Sequence, residues 1–268
     1  MRKPALLLSF ACLVLVCALI TSCGSGNSGG GENCSGPAVD VVGDWNLDVS
    51  GSGGSASGPG VIDSSGLAVF VQTSTSSPAP GDTVVFPTIT GGSKCFSGTA
   101  TAYATPASGG GSASQSVQGT INSSTSITGS LSNGNNFSLT SGSPLTGSVT
   151  ALSGSDWQGE VEGATQPIIW DITLTPTGTG NSMNFTGTNL ACNISGTFNQ
   201  EGSSTANLNV FDVTVTSAEG CPFDNFTGIG FESSTDYFGM NGGAAGTYLY
   251  AVSAVNGAVA LEIFEPAP

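Results

Sequence analysis

Beyond residue 38, apolar and polar residues alternate in short runs along the chain. Clear examples are residues 127–131, 157–162, 170–175 and 259–263. A period of two puts successive side chains on opposite faces of a β-strand, so each run can bury one face and expose the other. No window carries the 3.6-residue apolar period of an amphipathic helix, because Gly, Ser and Thr interrupt every stretch long enough to form one. The pattern therefore predicts strands throughout.

The same alternation, in weaker form, predicts further strands separated by Gly, Asn and Pro turns. The thirteen runs named, taken with the length of the chain, predict roughly 14 to 16 short strands in all, which favours antiparallel meanders. We therefore predict an all-β fold of one or two small barrels or sandwiches, and we assign the low-complexity stretches 50–60 and 73–81 to loops. The further predicted strands are 41–49, 67–72, 83–89, 96–104, 182–187, 194–198, 208–216, 226–231 and 247–254.

Two short motifs recur along the chain. Gly-Asp-Trp at 43–45 is matched by Ser-Asp-Trp at 155–157, and each is followed by a cysteine close to Ser-Gly-Thr, at 95–99 and 192–197. This recurrence suggests an internal duplication, although a chain rich in Gly, Ser and Thr also produces such agreements by chance. A boundary between two similar halves is predicted within residues 142–155.

The N-terminal segment has a different character. Two basic residues at 2–3 precede an apolar stretch at 5–20, as in an export signal. Ile-Thr-Ser-Cys at 20–23 resembles the lipobox of bacterial lipoproteins. The resemblance implies that residues 1–22 are removed and that Cys23 is acylated and holds the mature chain on a membrane. A transmembrane helix is the alternative, but this apolar stretch is shorter than the roughly 20 residues that span a bilayer.

These features predict four parts of the chain. A signal helix at 1–22 is followed by a flexible tether at 23–38, a first β half at 39–145 and a second β half at 146–268. In lipoproteins an aspartate after the acylated cysteine often retains the protein in the inner membrane. Gly24 occupies that position here, so the resemblance implies a lipid-anchored protein of the outer membrane, on its periplasmic face or at the cell surface.

Basic residues are almost absent from the predicted mature chain. The whole sequence has 3 Lys and Arg against 18 Asp and Glu, and Lys94 is the one basic residue after Cys23. Nucleic-acid binding needs clustered Lys or Arg to neutralise phosphates, so the composition excludes that class of partner. The partner that the sequence does predict is a membrane, through the lipid on Cys23.

Four cysteines follow the predicted lipidation site, at Cys34, Cys95, Cys192 and Cys221. Cysteines of exported proteins usually form disulfides, and four of them allow three pairings. The sequential pairing, Cys34 with Cys95 and Cys192 with Cys221, closes the shortest loops and is the one we favour. A zinc site is the competing interpretation, but the chain has no CxxC pair and no histidine to supply the usual ligands.

The absence of histidine also limits catalysis. It removes the commonest general base and every mechanism of the Ser-His-Asp or Cys-His type. Patterns that resemble a nucleophile elbow and a dinucleotide-binding loop fall within 24–30, in the predicted tether, where neither follows a strand nor opens a helix. We therefore predict no catalytic residue, no cofactor and no metal.

Carboxylates are the remaining source of acid and base chemistry. Asp156, Glu160 and Glu162 form the densest group, and their even spacing places them on one face of a strand, opposite Trp157. A solvated surface is the simplest interpretation, with a calcium site or the catalytic pair of a glycoside hydrolase as alternatives. The pair at 224–225, Asp-Asn, predicts a turn, with an ion ligand as the alternative.

Aromatic residues divide into two groups. Tyr237, Phe238, Tyr248 and Tyr250 cluster in a stretch rich in Gly and Asn, and exposed rings there would suit sugar stacking or protein contact. The other aromatic residues lie mainly in alternating strands, where burial is the ordinary outcome. Those predicted to be buried are Trp45, Trp157, Phe185, Phe198, Phe231 and Phe264.

Two motifs of the mature chain resemble those of lipocalins. Gly-Asp-Trp at 43–45 matches the Gly-x-Trp of the first lipocalin strand, and Thr-Asp-Tyr at 235–237 matches the family's Thr-Asp-Tyr. The resemblance implies an eight-stranded barrel that carries an apolar ligand. The chain departs from the family pattern because the two motifs lie too far apart for one barrel and no arginine follows them.

Taken together, these features predict a membrane-anchored, non-enzymatic lipoprotein of the cell envelope with a binding or scaffolding role. A lipocalin-like carrier of an apolar ligand is the first alternative, and a carboxylate-based glycan hydrolase is the second. A roomy cavity favours the carrier, filled interiors favour the scaffold, and two acids converging in a cleft beside exposed aromatic rings favour the hydrolase.

Overall fold

A computed structural model describes most of the chain from residue 34 to residue 264. This part contains sixteen β-strands and no α-helix, so the all-β prediction is confirmed. Accordingly, none of the described residues belongs to a helix long and apolar enough to cross a bilayer. The described residues are 34–52, 54–73, 82–103, 112–142, 152, 154–161, 169–177, 181–189, 192–202, 209–218, 221, 225–234, 246–253 and 260–264.

The first eight strands close into an antiparallel barrel. Each strand pairs with its neighbours along the chain, and the eighth returns to the first, where Leu47 lies opposite Leu139. Closure leaves no unpaired strand edge in the sheet. The strands are β1 (Gly43–Ser50), β2 (Ala56–Ile62), β3 (Ala68–Val71), β4 (Thr83–Phe86), β5 (Cys95–Tyr103), β6 (Ser112–Ser123), β7 (Ser126–Leu131) and β8 (Asn136–Ser141).

The last eight strands form a second closed barrel with the same order. Its first strand pairs with both the second and the last, so that Gly159 lies opposite Trp170 on one side and Ile263 on the other. The strands are β9 (Gly154–Val161), β10 (Ile169–Thr177), β11 (Ser182–Thr188), β12 (Ile194–Gln200), β13 (Phe211–Ser217), β14 (Phe226–Ser233), β15 (Tyr248–Ser253) and β16 (Ala260–Phe264).

The period-two alternation decides what fills each barrel. On β1, for example, Trp45, Leu47 and Val49 are buried, whereas Asn46 and Asp48 between them are exposed. The buried inward positions of β1 to β8 form one apolar core and those of β9 to β16 form another, because an eight-stranded barrel is just wide enough for side chains to meet inside it. The six aromatic residues predicted to be buried are all buried.

One predicted loop was wrong. Residues 56–60 of the low-complexity stretch belong to β2, not to a loop. A Cβ atom on Gly58 would lie 1.8 Å from the carbonyl oxygen of Val71, and one on Gly60 would lie 2.1 Å from that of Val69. These glycines are therefore required for the close approach of β2 to β3, although their composition resembles that of a loop.

β6 and β8 were also not predicted. Their outward positions are Ser, Thr, Asn and Gln, with Gly119 at one inward position, which lowers the apolar content of the alternating signal. Both strands still carry buried apolar residues on the inward face, namely Val117, Ile121, Phe137 and Leu139. Pairing with the neighbouring strands stabilises these polar segments as part of a closed sheet.

The disulfides are those of the sequential pairing, Cys34–Cys95 and Cys192–Cys221. The first attaches the segment before β1 to the first residue of β5. The second joins the segment before β12 to the connection between β13 and β14. The indole N–H of Trp170 also donates to the carbonyl oxygen of Cys192 at 3.0 Å, so this disulfide lies against the core of the second barrel.

The recurring motifs are only partly equivalent in space. Trp45 and Trp157 both lie on the first strand of a barrel. Cys95, however, opens the fifth strand of the first barrel, whereas Cys192 precedes the fourth strand of the second. The alignment of the two cysteine motifs was therefore wrong, because similar Cys, Ser, Gly and Thr patterns occur on non-equivalent strands.

A third apolar core lies between the two barrels. It joins outward-facing valines of β2 and β3 to outward-facing residues of β14, β15 and β16, and all of its members are buried. Phe231 stacks on Tyr250 with ring centroids 5.1 Å apart. These rings of the second barrel and the valines of the first therefore pack together in one buried apolar contact. Its principal members are Val61, Val69, Val71, Ile229, Phe231, Tyr248, Tyr250, Val252 and Phe264.

Hydrogen bonds also connect the barrels. The Asn209 amide donates to Asp44 Oδ1 of the first barrel at 3.1 Å and to the carbonyl oxygen of Glu232 at 2.8 Å. Its own Oδ1 accepts from the backbone N–H of Glu232 at 2.6 Å. Asn209 is buried, so one side chain links the start of β1 to the end of β14.

Candidate ligand-binding site

A cavity of about 200 Å³ opens at one end of the first barrel. This mouth cavity lies where β1, β3, β5 and β7 end and where β2, β4, β6 and β8 begin. At its opening Ser55 and Ala113 are exposed, while Ala56 and Ala100 further along the wall are buried. Its apolar wall is formed mainly by Ala56, Val84, Phe86, Ala100, Ala102 and Leu131.

Small side chains create the cavity. β5 contributes Ala100 and Ala102 at inward positions, and β2 and β6 contribute Ala56 and Ala113. A methyl group reaches a short distance into the barrel, so this end of the interior is not filled. At the other end the larger side chain of Trp45 occupies the interior, and its indole N–H donates to the carbonyl oxygen of Val41 at 2.7 Å.

Most polar side chains at the mouth are engaged in hydrogen bonds of the loops. Asn135 donates through Nδ2 to the carbonyl oxygen of Gly54 at 3.2 Å. Asn133 accepts from the backbone N–H of Asn135 at 3.0 Å, and Gln115 accepts from the Ser132 hydroxyl at 2.8 Å. These bonds hold the rim of the cavity in place. No charged side chain lines the cavity among the residues that the structure describes.

Gln72 differs from the other polar residues of the wall. It follows β3 at an inward position, continuing the alternation of Ala68 and Phe70, and only 3% of its surface is exposed. Its backbone N–H donates to the carbonyl oxygen of Asp82 at 2.7 Å, which holds its backbone in place. The side-chain Oε1, in contrast, accepts no hydrogen bond from any described residue.

A second group of polar residues lies at the junction of the two barrels. Asp63, at the end of β2, meets Glu201 and Asp212 of the second barrel, and carboxylate oxygens of the three lie within 4.8 Å of one another. Ser64 donates to both oxygens of Glu201, through its backbone N–H at 2.7 Å and through its hydroxyl at 3.0 Å. Ser65 and the Leu67 backbone N–H each donate to Asp63 Oδ1 at 2.7 Å.

Burial and like charge both act on this acidic junction. Desolvation by burial raises the pKa of Glu201, the hydrogen bonds from Ser64 oppose the rise, and the nearby Asp212 and Asp63 add to it. Desolvation by burial, followed by the charge of Asp63, also raises the pKa of Asp212, and a hydrogen bond with Glu201 opposes this rise. Ca²⁺ takes six to eight oxygen ligands, and several carboxylate oxygens of the junction already accept hydrogen bonds. We therefore do not assign a calcium ion to this junction. The like charges of the carboxylates instead add to the effect of burial in raising the pKa values of Glu201 and Asp212.

Glu160 does not lie on a solvated surface, and this prediction was wrong. It is buried, and on the outward face of the second barrel it lies directly opposite Glu262 of β16. Glu262 is fully buried and accepts a hydrogen bond from the Tyr250 hydroxyl at 3.2 Å. The alternation of β9 correctly placed Glu160 and Trp157 on different faces of the strand. The sequence could not show that packing covers the outward face. The side chains of Asp156 and Glu162 lie outside the described residues.

The predicted aromatic surface is also corrected. Tyr248 and Tyr250 are fully buried in the core between the barrels, so they are not available for sugar stacking. A β-strand exposes its outward face only where nothing packs on it, and here the first barrel does. Tyr237 and Phe238 lie outside the described residues.

Several other predicted features also lie outside the described residues. They include the signal, Cys23, most of the tether, the patterns at 24–30, Asp224 and the Thr-Asp-Tyr at 235–237. Trp45 of the lipocalin-like motif lies in the core of the first barrel but not on the wall of the mouth cavity.

Sequence reasoning did not single out Gln72 or the alanines of the cavity. A signal was nevertheless present, since Ala100 and Ala102 occupy inward positions of β5 where large apolar residues are usual. Comparisons of this chain with protein families, with curated proteins and with solved structures give no match.

Proposed function

We propose that this protein is a non-enzymatic, lipid-anchored binding protein of the cell envelope, which holds a small, largely apolar ligand in the mouth of its first barrel. The observation that carries the proposal is the mouth cavity of about 200 Å³ with its alanine-rich wall. The lipobox at 20–23 supports attachment to the outer membrane through Cys23. Two disulfides are in keeping with an oxidising compartment.

The size of the cavity limits the ligand. An apolar protein cavity of about 150 Å³ accommodates benzene, so a cavity slightly larger takes a molecule of about one ring. The ligand is also neutral, because the wall offers no charged partner among the described residues and the protein has a formal net charge of −15. An anion would be repelled, and a cation would find no carboxylate in the cavity wall that the structure describes.

The second barrel has a different role in this proposal. Its described interior carries large buried side chains such as Trp170, Phe185 and Phe198, and its outward face packs against the first barrel. It therefore serves as a rigid support for the ligand-binding barrel. The hydrolase alternative receives less support, since Glu160 and Glu262 are buried and the neighbouring Tyr250 ring is covered.

The proposal is tested with the full chain carrying Cys23→Ser, which removes the predicted lipid attachment site. Toluene is titrated into the isotope-labelled protein and followed by NMR chemical shifts of the backbone amides. Shift changes confined to the mouth of the first barrel support the proposal. Binding of comparable strength to other regions, or no binding at millimolar toluene, contradicts it and leaves a scaffold as the better account.

A matched pair of variants locates the site. Ala102→Phe places a ring in the cavity, whereas Thr99→Phe places one on the exposed face of the same strand. We expect toluene binding to be lost in the first variant and retained in the second. Loss in both variants, or in neither, would show that toluene binds elsewhere.

A further inference from the structure

We propose that Gln72 selects the ligand of the mouth cavity, and that this ligand is a neutral, single-ring molecule that donates a hydrogen bond to Gln72 Oε1. Phenols are the simplest members of this class. The inference rests on the proposed function, because it assigns the chemistry of a ligand in the same cavity. It adds a requirement that cavity volume and apolar lining do not impose.

The side-chain oxygen of Gln72 is an acceptor that the described part of the chain leaves open. Oε1 is buried and accepts no hydrogen bond from the described residues, in a side chain that is 3% exposed. Buried polar atoms in folded proteins are nearly always satisfied, so an acceptor left open in a cavity wall calls for a partner that these residues do not supply. A ligand in the cavity is placed to supply it.

The position of Gln72 sets the direction of the ligand. Gln72 follows β3 at the mouth of the barrel, whereas Phe86 lies opposite Ala68 and therefore deeper in the interior. A ligand with its polar donor at Gln72 therefore enters apolar end first and rests its ring against the deeper wall, which includes Phe86. The ring contacts alkyl and aromatic carbon, and the donor of the ligand meets the open acceptor of the buried wall.

The other polar groups of the wall are less suited to select a ligand. Asn135 Nδ2 is already bonded to the carbonyl oxygen of Gly54, and Gln115 Oε1 already accepts from Ser132. Asn133 Oδ1 accepts from the backbone of Asn135. These atoms stabilise the rim, so a ligand that used them would have to compete with loop hydrogen bonds.

The experiment compares phenol, anisole and toluene on the full Cys23→Ser chain with and without Gln72→Leu. Phenol carries a donor, anisole has a similar size but no donor, and toluene is apolar. Leucine keeps the approximate size of the side chain and removes the acceptor. Gln118→Leu, on the exposed face of β6, is the matched control.

We expect Gln72→Leu to weaken phenol binding about tenfold, the usual contribution of one buried hydrogen bond, and to leave toluene and anisole within about twofold. Gln118→Leu should change none of the three. Comparing each probe between two proteins cancels the different cost of removing the probes from water. The side-chain amide signals of Gln72 should shift with phenol far more than with toluene.

The outcomes separate this inference from the proposed function. If each probe bound the parent and Gln72→Leu with the same affinity, the role of Gln72 would be overturned while the cavity remained a binding site. Weakening of anisole as strong as that of phenol would show that the amide donates to the ligand, and would also overturn the inference. Absence of binding by any probe would overturn the inference together with the proposed function.

Discussion

The two barrels share a strand order and a number of strands but differ in how their interiors are filled. In the second barrel the rings of Phe185, Phe198 and Phe211 meet with centroids 5.6 and 5.9 Å apart along the interior. In the first barrel Phe70, Phe86 and Phe137 also meet, but the end beyond them is lined with alanines.

The difference between the barrels shows that topology alone does not make a binding protein. Both meanders close because their strands alternate inward and outward residues, and closure leaves an interior of similar width in each. Whether that interior becomes a core or a cavity depends on the volume of a few inward side chains. A barrel with alanine at four inward positions near one end retains space there, whereas rings in the same kind of interior fill it.

The largest effect is expected from removing a ring of the second barrel. Phe198→Ala should lower the free energy of unfolding by about 3 to 5 kcal/mol, because it leaves a cavity among tightly packed rings. Phe96→Ala, which removes a half-buried ring of the first barrel, should cost less than half as much. Urea unfolding followed by the fluorescence of Trp157 and Trp170, in a Trp45→Phe background, measures the first change.

Equal losses for the two substitutions, as measured by circular dichroism for the whole chain, would show that the interiors are equally tight. In that case the proposed contrast between a filled barrel and an open one would not hold.

The second largest effect concerns the disulfides. Replacing Cys192 and Cys221 by alanine should destabilise the second barrel by roughly 3.5 kcal/mol, the loop-entropy estimate for a sequence separation of 29. The same change at Cys34 and Cys95, with a separation of 61, should cost slightly more, about 4 kcal/mol. Thermal unfolding of the two double variants compares them, and an unchanged midpoint in either would show that its disulfide does not constrain the unfolded chain.

A smaller effect in the opposite direction is expected at Gln72. Gln72→Leu should stabilise the ligand-free protein by about 1 kcal/mol, because it removes a buried acceptor without a partner among the described residues and adds apolar contact. Gln118→Leu at an exposed position should stay within about 0.5 kcal/mol of the parent. Destabilisation by Gln72→Leu in urea would mean that the amide is well solvated or bonded in the free protein.

The smallest effect concerns the acidic junction. Since the pKa values of Glu201 and Asp212 are raised above their ordinary 4.5 and 3.8, the folded state holds these protons more tightly than the unfolded state. Their contribution to stability is therefore complete below those ordinary values and is lost as the pH rises through the raised pKa values. Asp212→Asn should stabilise the protein at pH 7 by at most about 1 kcal/mol and flatten this pH dependence.

Unfolding in urea at pH 4 and pH 7 checks this prediction. The control is Asp171→Asn, on an exposed position of β10 outside the acidic junction. The assigned repulsion between the carboxylates would be contradicted if the parent protein were more stable at pH 7 than at pH 4 and Asp212→Asn did not change this difference.

Much of the fold was predictable because strands are a local property. The inward residues of β1, β10 and β13 follow from alternation alone, and the sequential disulfides follow from loop length. The glycine-rich β2 was not predictable, since its glycines are explained only by the approach of β3. The candidate site was even harder to predict from the sequence, because Gln72 and the alanines lie on several strands that meet only when the barrel closes.

The sequence by itself determined the strand-forming alternation, the predicted signal and lipidation site, the negative charge and the classes of chemistry that a chain without histidine cannot perform. The tertiary structure alone decided which outward faces became buried, as at Tyr250 and Glu160, and which inward positions enclose space. The physical reason is that alternation assigns each side chain to a face of its own strand. Burial and cavities arise between strands and between barrels, where residues distant in sequence come into contact.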